Sequence, residues 1–283
     1  RQRQMCIRDS LNRENELNTI LEKMKKLLLS AFVICLAGTS IAQESPLWMR
    51  HCALSPDGTT IAFTYKGDIY TVPSTGGRAT QITTNPAFDT EPVWSPDSKQ
   101  IAFASDRMGS LDVFVVSSEG GAPQRLTTHS GSEKPVAYKD NKHILFTANI
   151  APSAEDAGFP SGQFQQVYEV AVTGGRPAMF SSMPMECISI NKEGVMLYQD
   201  KKGYEDYWRK HQVSPIARDI WTYTPGKKPV YQKQTTFGGE DREPVWSPDG
   251  KSFYYLSEEK GSFNIFQRTP GTTLLPVTSG HTL

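Results

Sequence analysis

What this chain has little of narrows its possible functions before any motif is read. It has no excess charge of either sign: 30 basic and 30 acidic side chains cancel over 283 residues. A nucleic-acid footprint needs a clustered basic surplus, so no nucleic-acid partner is expected. It has few metal-ligating side chains in useful spacings. The five histidines (His51, His129, His143, His211 and His281) include no two that are three or four residues apart, so neither a metal nor a cofactor is expected. Its main apolar stretch, Leu27 to Leu36, is shorter than the ~20 residues that span a bilayer. Cysteine is scarce, with four in all, which is too few for a disulfide-stapled scaffold. Hydrophobic residues make up 37% of the chain, below the usual globular share, while 22 glycines and 19 prolines point to many turns.

What is present is repetition. From Glu91 to Gly131 the sequence carries three apolar runs and a short polar-ended fourth, separated by turn residues. Val93-Trp94 leads into Ser95-Pro96-Asp97-Ser98, where proline presets φ and the serine and aspartate side chains can bond their own backbone. Ile101 to Ala104 and Asp112 to Val116 follow, and Gly120-Gly121 allows a reversal into Arg125-Leu126-Thr127-Thr128. Runs of four or five residues suit strands and are too short for helices. The stretch reads as a four-stranded antiparallel meander.

The pattern recurs. Val245-Trp246-Ser247-Pro248-Asp249-Gly250 repeats its opening, and Leu54-Ser55-Pro56-Asp57-Gly58 does so more loosely. Leu54, Trp94, Ala137, Ile190 and Trp246 mark five units at intervals of 40, 43, 53 and 56 residues. A polar, a β-branched and an aromatic residue stand together in every unit: Asp68-Ile69-Tyr70, Asp112-Val113-Phe114, Gln166-Val167-Tyr168, Asp219-Ile220-Trp221 and Asn264-Ile265-Phe266. A period near 40 with four short strands per unit belongs to propeller blades. The expected fold is all-β, a β-propeller of four-stranded antiparallel blades. Five blades, near 51–84, 91–131, 134–182, 186–236 and 244–279, are present of an expected six. A complete five-bladed ring is the rival. Blades three and four carry insertions, Ala151 to Phe164 and Gly203 to Ala217.

Residues 1–23 read as a non-domain upstream segment, and the propeller as residues 43–283. Between them, 24–42 reads as a signal peptide: Lys25 and Lys26 precede the apolar Leu27–Leu36, and Ser40-Ile41-Ala42 offers a cleavage site. A membrane anchor is the rival reading, and no membrane span is expected after cleavage. Cys52 and Cys187 would remain in the mature chain. Both are expected as buried strand thiols, on blades that face each other across a six-bladed ring, beyond the ~4.4–6.8 Å that a disulfide bridges.

The motif W-S-P-D-G, then I-A-F, D/N-I-aromatic, G-G and L-T, resembles repeats in three groups of propellers: tricorn-like serine peptidases, the Tol–Pal translocation propeller and the prolyl-oligopeptidase group. Across about Ser45 to Ser279 the chain is most similar to the amino-terminal six-bladed propeller of the bacterial tricorn-like peptidases. Three features carry that likeness: the short run from Ser45 into the first blade, the fourth-blade segment Tyr207-Trp208-Arg209-Lys210-His211 leading into Ala217-Arg218-Asp219-Ile220-Trp221, and the lack of room between Ala42 and Leu54 for the α/β domain of a Tol-type protein. The resemblance implies an exported, periplasmic protein of a Gram-negative-type bacterium and a large homo-oligomeric peptidase. Its catalytic serine, histidine and acid would lie in a carboxy-terminal core, so no catalytic residue is carried over to this stretch. The propeller would act as a channel, filter or interaction platform for peptides or unfolded polypeptide, working with the remaining domains of the same chain. A stand-alone periplasmic binding or scaffold propeller of the Tol–Pal type is the alternative, and a sugar-active propeller enzyme a third.

Two groups of side chains invite a functional reading. Ser55, Ser95 and Ser247 each stand in Ser-Pro-Asp, but the tripeptide's recurrence argues for a turn and not a nucleophile. The segment Tyr204 to His211 sets aromatics beside basic residues, so Tyr204, Tyr207, Trp208, Arg209 and His211 are the candidate contacts for a pore mouth or a partner.

Overall fold

The computed structural model describes residues 48–150, 164–203, 213–270 and the backbone of 275–276. The upstream and signal segments, most of the blade-three insertion and the Tyr204–His211 segment lie outside the described residues. Five four-stranded antiparallel sheets follow one another in chain order, each a simple meander. Blade one is β1 (Arg50–Leu54), β2 (Thr60–Tyr65), β3 (Asp68–Pro73) and β4 (Thr80–Gln81). Blade two is β5 (Asp89–Trp94), β6 (Gln100–Ser105), β7 (Asp112–Ser117) and β8 (Gln124–Arg125). Blade three is β9 (Lys134–Asp140), β10 (His143–Ala148), β11 (Gln166–Ala171) and β12 (Ala178–Ser181). Blade four is β13 (Met185–Ile190), β14 (Met196–Asp200), β15 (Ile220–Thr224) and β16 (Val230–Lys233), and blade five is β17 (Asp241–Trp246), β18 (Phe253–Ser257), β19 (Asn264–Arg268) and β20 (Leu275–Pro276). The first strands β1, β5, β9, β13 and β17 lie side by side in that order and form the hub.

Each position of the repeated triad has its own task. The polar residue binds the outer strand: Asp112 meets Arg125 at 2.8 Å, Asp219 meets Lys233 at 2.8 Å, and Asp68 accepts from Gln81 at 3.0 Å. The β-branched residue faces the next blade; Ile69, Val113, Val167 and Ile220 are 0% exposed. The aromatic pairs across the ladder with an aromatic of the second strand. Phe63–Tyr70, Phe103–Phe114, Phe146–Tyr168 and Tyr255–Phe266 are register partners with ring centres 5.7–5.9 Å apart, a spacing that adds to simple area burial. A threonine at the end of the unit closes blades one, two and four. Thr83, Thr127 and Thr235 hydroxyls accept from the backbone N–H groups of Ile69, Val113 and Ile220 at 2.9, 2.9 and 3.0 Å.

The hydrophobic core therefore lies between blades and not within one. One cluster joins blades one and two through Ile69, Trp94, Ile101 and Phe114, and three more join each later pair. The tryptophan of the turn motif crosses these seams: Trp94 Nε1 donates to Ala53 O at 3.0 Å, and Trp246 Nε1 to Val195 O at 3.2 Å. The two end blades keep one face open among the described residues. Leu54, at the Trp94 position of blade one, is 55% exposed, and Ile265, at the position buried in the other four blades, is 41% exposed.

Candidate functional site

The three Ser-Pro-Asp serines are committed to backbone turns. Ser55 Oγ donates to Asp57 Oδ1 at 2.6 Å and accepts from Thr60 N at 2.9 Å; Ser95 Oγ repeats this with Asp97 at 2.7 Å and Gln100 N at 2.9 Å. Ser247 does the same with Asp249 and with Ser252 N. The serine hydroxyls are the first cause holding the Asp57, Asp97 and Asp249 carboxyls below the ordinary range. An occupied hydroxyl facing a carboxylate that resists protonation suits a turn clamp and not a nucleophile–base pair.

Tyr204, Tyr207, Trp208, Arg209 and His211 lie outside the described residues, but the chain on either side of them is described. Lys202 Nζ donates to Ala217 O at 2.6 Å, Gly203 packs on Ile216, and Ser214 N donates to Gly238 O at 3.2 Å. An ion cluster anchors this base. Glu186 takes bonds from Lys201 at 2.9 Å, Gln199 at 3.0 Å and Arg218 at 3.3 Å, and Arg218 also meets Glu240 at 2.7 Å. Burial alone would raise the Glu186 carboxyl; these donors outweigh it and hold it low.

At the hub, the first strands of blades one, two, four and five each carry a bulge, and the residue there takes a positive φ: His51 (51°), Glu91 (55°), Cys187 (51°) and Glu243 (54°). A bulge re-aims side chains out of the sheet. Lys134 holds the matching place in blade three, and its ammonium reaches back to Glu91 at 2.8 Å. Cys187 on β13 lies within electrostatic reach of Glu243 on β17 and of Glu91, two blades away on β5. The equivalent hub-strand position is thus taken by His51, Glu91, Lys134, Cys187 and Glu243, a mixed-charge set.

The sequence expectation that Cys52 and Cys187 are buried is corrected: both are free and exposed. Cys187 sits on the β13 bulge, and Cys52 follows the His51 bulge on the uncovered side of blade one. Although Cys187 is exposed, protein atoms crowd around its thiol. That confinement, with the Glu186 and Glu243 carboxylates, pushes its thiol up to about 12. It is therefore a poor nucleophile at neutral pH. In a Cys52→Ser chain at pH 7.5, mass mapping should find Cys187 alkylated by iodoacetamide roughly 30–100-fold more slowly than after denaturation, the scarcity of thiolate outweighing its greater nucleophilicity. Equal rates would contradict this environment.

The fold and hub can now be set beside known proteins. The family model described as the tricorn protease N-terminal beta propeller domain matches residues 46–282. The chain belongs to the tricorn N-terminal propeller family. Tricorn protease homolog 1 of Streptomyces coelicolor is 39% identical over 213 residues, covering 75% of this chain but 19% of the relative. This tricorn propeller thus spans about a fifth of that relative's length. Among solved structures, the crystal structure of the tricorn protease superposes with a TM-score of 0.67 at 18% identity, covering 84% of this chain and 23% of that one. A putative TolB from Agrobacterium tumefaciens superposes at 0.64 and 15% identity, covering 83% and 82%. Both structural likenesses speak to the fold.

Within the tricorn propeller, sequence reading missed the hub residues and the Glu186–Arg218–Glu240 cluster. The hub residues lie three positions before each marker residue, in reach of an alignment of the five units. Only the bulge, which spacing does not announce, sets the backbone of His51, Glu91, Cys187 and Glu243 apart from the rest of the strand.

Proposed function

We propose that this tricorn propeller is the non-catalytic portion of an exported, periplasmic serine peptidase, and that its hub passes or selects peptides on their way to a catalytic core in the same polypeptide. The family match across residues 46–282 carries this reading. The mixed-charge hub set supports it, because Glu, Lys and uncharged side chains together can accept extended peptides of varied sequence without holding one tightly. The parent protein is proposed to assemble as a homo-oligomer.

The test is made on the full-length natural polypeptide, with fluorogenic substrates of two sizes. Cys187→Trp, which adds bulk at the hub, should slow hydrolysis of a peptide of about ten residues several-fold and leave a dipeptide-sized substrate unchanged. Equal rates for both substrates in both proteins would overturn the filter role. A second reading, a stand-alone scaffold propeller, is favoured by the TolB structure, of which the propeller fold covers 82%. Under that reading the full-length protein would show no labelling by a serine-directed fluorophosphonate.

A further inference from the structure

Blades two and five follow one plan up to a single residue. In blade two Asp89 is 0% exposed, and both its oxygens accept from Arg107 Nη2 at 3.0 Å. Arg107 Nε also donates to Ser105 Oγ at 2.8 Å, and the guanidinium carbon lies 4.5 Å from the Phe114 ring centre and 5.5 Å from that of Phe103. The guanidinium thus plugs a hole walled by a carboxylate, a hydroxyl and two aromatic faces.

Blade five rebuilds those walls. Asp241 pairs with Ser257 in the ladder as Asp89 pairs with Ser105, and Tyr255 and Phe266 pair as Phe103 and Phe114 do. The hairpin turn is also the same: Glu259 N approaches Ser257 Oγ at 3.2 Å as Arg107 N approaches Ser105 Oγ at 3.4 Å. The plug differs, because the residue in the Arg107 position is Glu259. A cavity of about 250 Å³ remains, lined by Thr235, Asp241, Tyr255, Glu259 and Arg268 among others. Asp241 is 1% exposed, and neither of its oxygens has a partner in hydrogen-bonding geometry among the described residues. The Ser257 and Thr235 hydroxyls lie near enough to favour its charged form, without offsetting its burial.

We propose that this cavity binds the guanidinium of an arginine side chain supplied by a peptide ligand, in the place that Arg107 fills from within blade two. The guanidinium suits it better than an ammonium. Its planar fork satisfies a carboxylate through two donors, and its face suits the cavity's Tyr255, which stands where Phe103 stands beside Arg107. Two carboxylates, Asp241 and Glu259, stand against one resident cation, Arg268, so the lining favours a second positive charge. The guanidinium site rests on the comparison with blade two; that the arginine belongs to a peptide rests on the peptide-handling function proposed above.

The experiment is calorimetric titration of the full chain with N-acetylarginine amide and with its neutral isostere, N-acetylcitrulline amide. The arginine amide should bind saturably and the citrulline amide at least ~10-fold more weakly, the difference expected of a charge-assisted bidentate contact. Asp241→Asn should weaken arginine binding by a similar factor. Glu259→Arg should restore the blade-two plug, abolish binding and raise the melting temperature. Absence of saturable binding at millimolar ligand, equal affinity for citrulline, or unchanged binding in either variant would each overturn the site. If the arginine amide binds but arginine-containing peptides do not, the site stands and the peptide-handling function fails.

Discussion

Arg107→Ala is expected to lower the unfolding free energy by about 3–5 kcal/mol, the cost of leaving a buried partner charge uncompensated. Asp89 is completely buried and loses the only guanidinium it bonds among the described residues, while Ser105 Oγ loses a donor at 2.8 Å. The stacking on Phe114 and Phe103 goes as well, and a desolvated cation–π contact adds about 2 kcal/mol of its own. For a domain of this size the melting temperature should fall by on the order of 10 °C. Arg107→Lys keeps the charge but not the fork, and should land between the two. Scanning calorimetry is the measurement; a loss under about 1 kcal/mol would show that the plug is not a structural element of blade two.

Asp241→Asn should have the opposite sign, and its effect should depend on pH. Burial, helped by the Asp219 and Glu259 charges and opposed by the Ser257 and Thr235 hydroxyls, raises the Asp241 carboxyl to about 7. A carboxyl raised in the folded state stabilises while it is protonated. Its contribution is full below the unfolded value of about 3.9 and is lost as pH climbs toward about 7. Asparagine cannot ionise. The variant should therefore match the parent near pH 4 and exceed it by up to about 4 kcal/mol at pH 8, three pH units at about 1.36 kcal/mol each. Asp57, Asp97 and Asp249 are held low by their turn serines, so they act in the reverse direction and withdraw stability only as pH falls through their folded values. Chemical denaturation at pH 4, 6 and 8 separates the two groups. A variant advantage that is flat across this range would contradict a titrating Asp241.

Much of the architecture was legible because propeller strands advertise themselves locally. The Ser-Pro-Asp turns, the Gly-Gly reversals and the polar–branched–aromatic triad each specify a backbone shape or a facing partner within a few residues. Burial was less legible, because it depends on neighbours that a single unit does not contain. Cys187 reads as an ordinary strand thiol until the β13 bulge is seen. The exchange of Arg107 for Glu259 stands in plain view, thirteen residues after Trp94 and thirteen after Trp246. Its meaning appears only once Asp241 is seen sealed behind it. The aromatic segment from Tyr204, which drew the functional reading, lies outside the described residues, while its pinned base at Gly203 and Ser214 is in view.

The seams between blades have an evolutionary corollary. Because each sheet shares its grease only with the sheets on either side, a duplicated unit can drift at one position without unravelling the ring. A copy that drops its own cation inherits a hollow already contoured for one. Receptors in such an architecture need not be invented; deletion of a resident side chain leaves the mould behind.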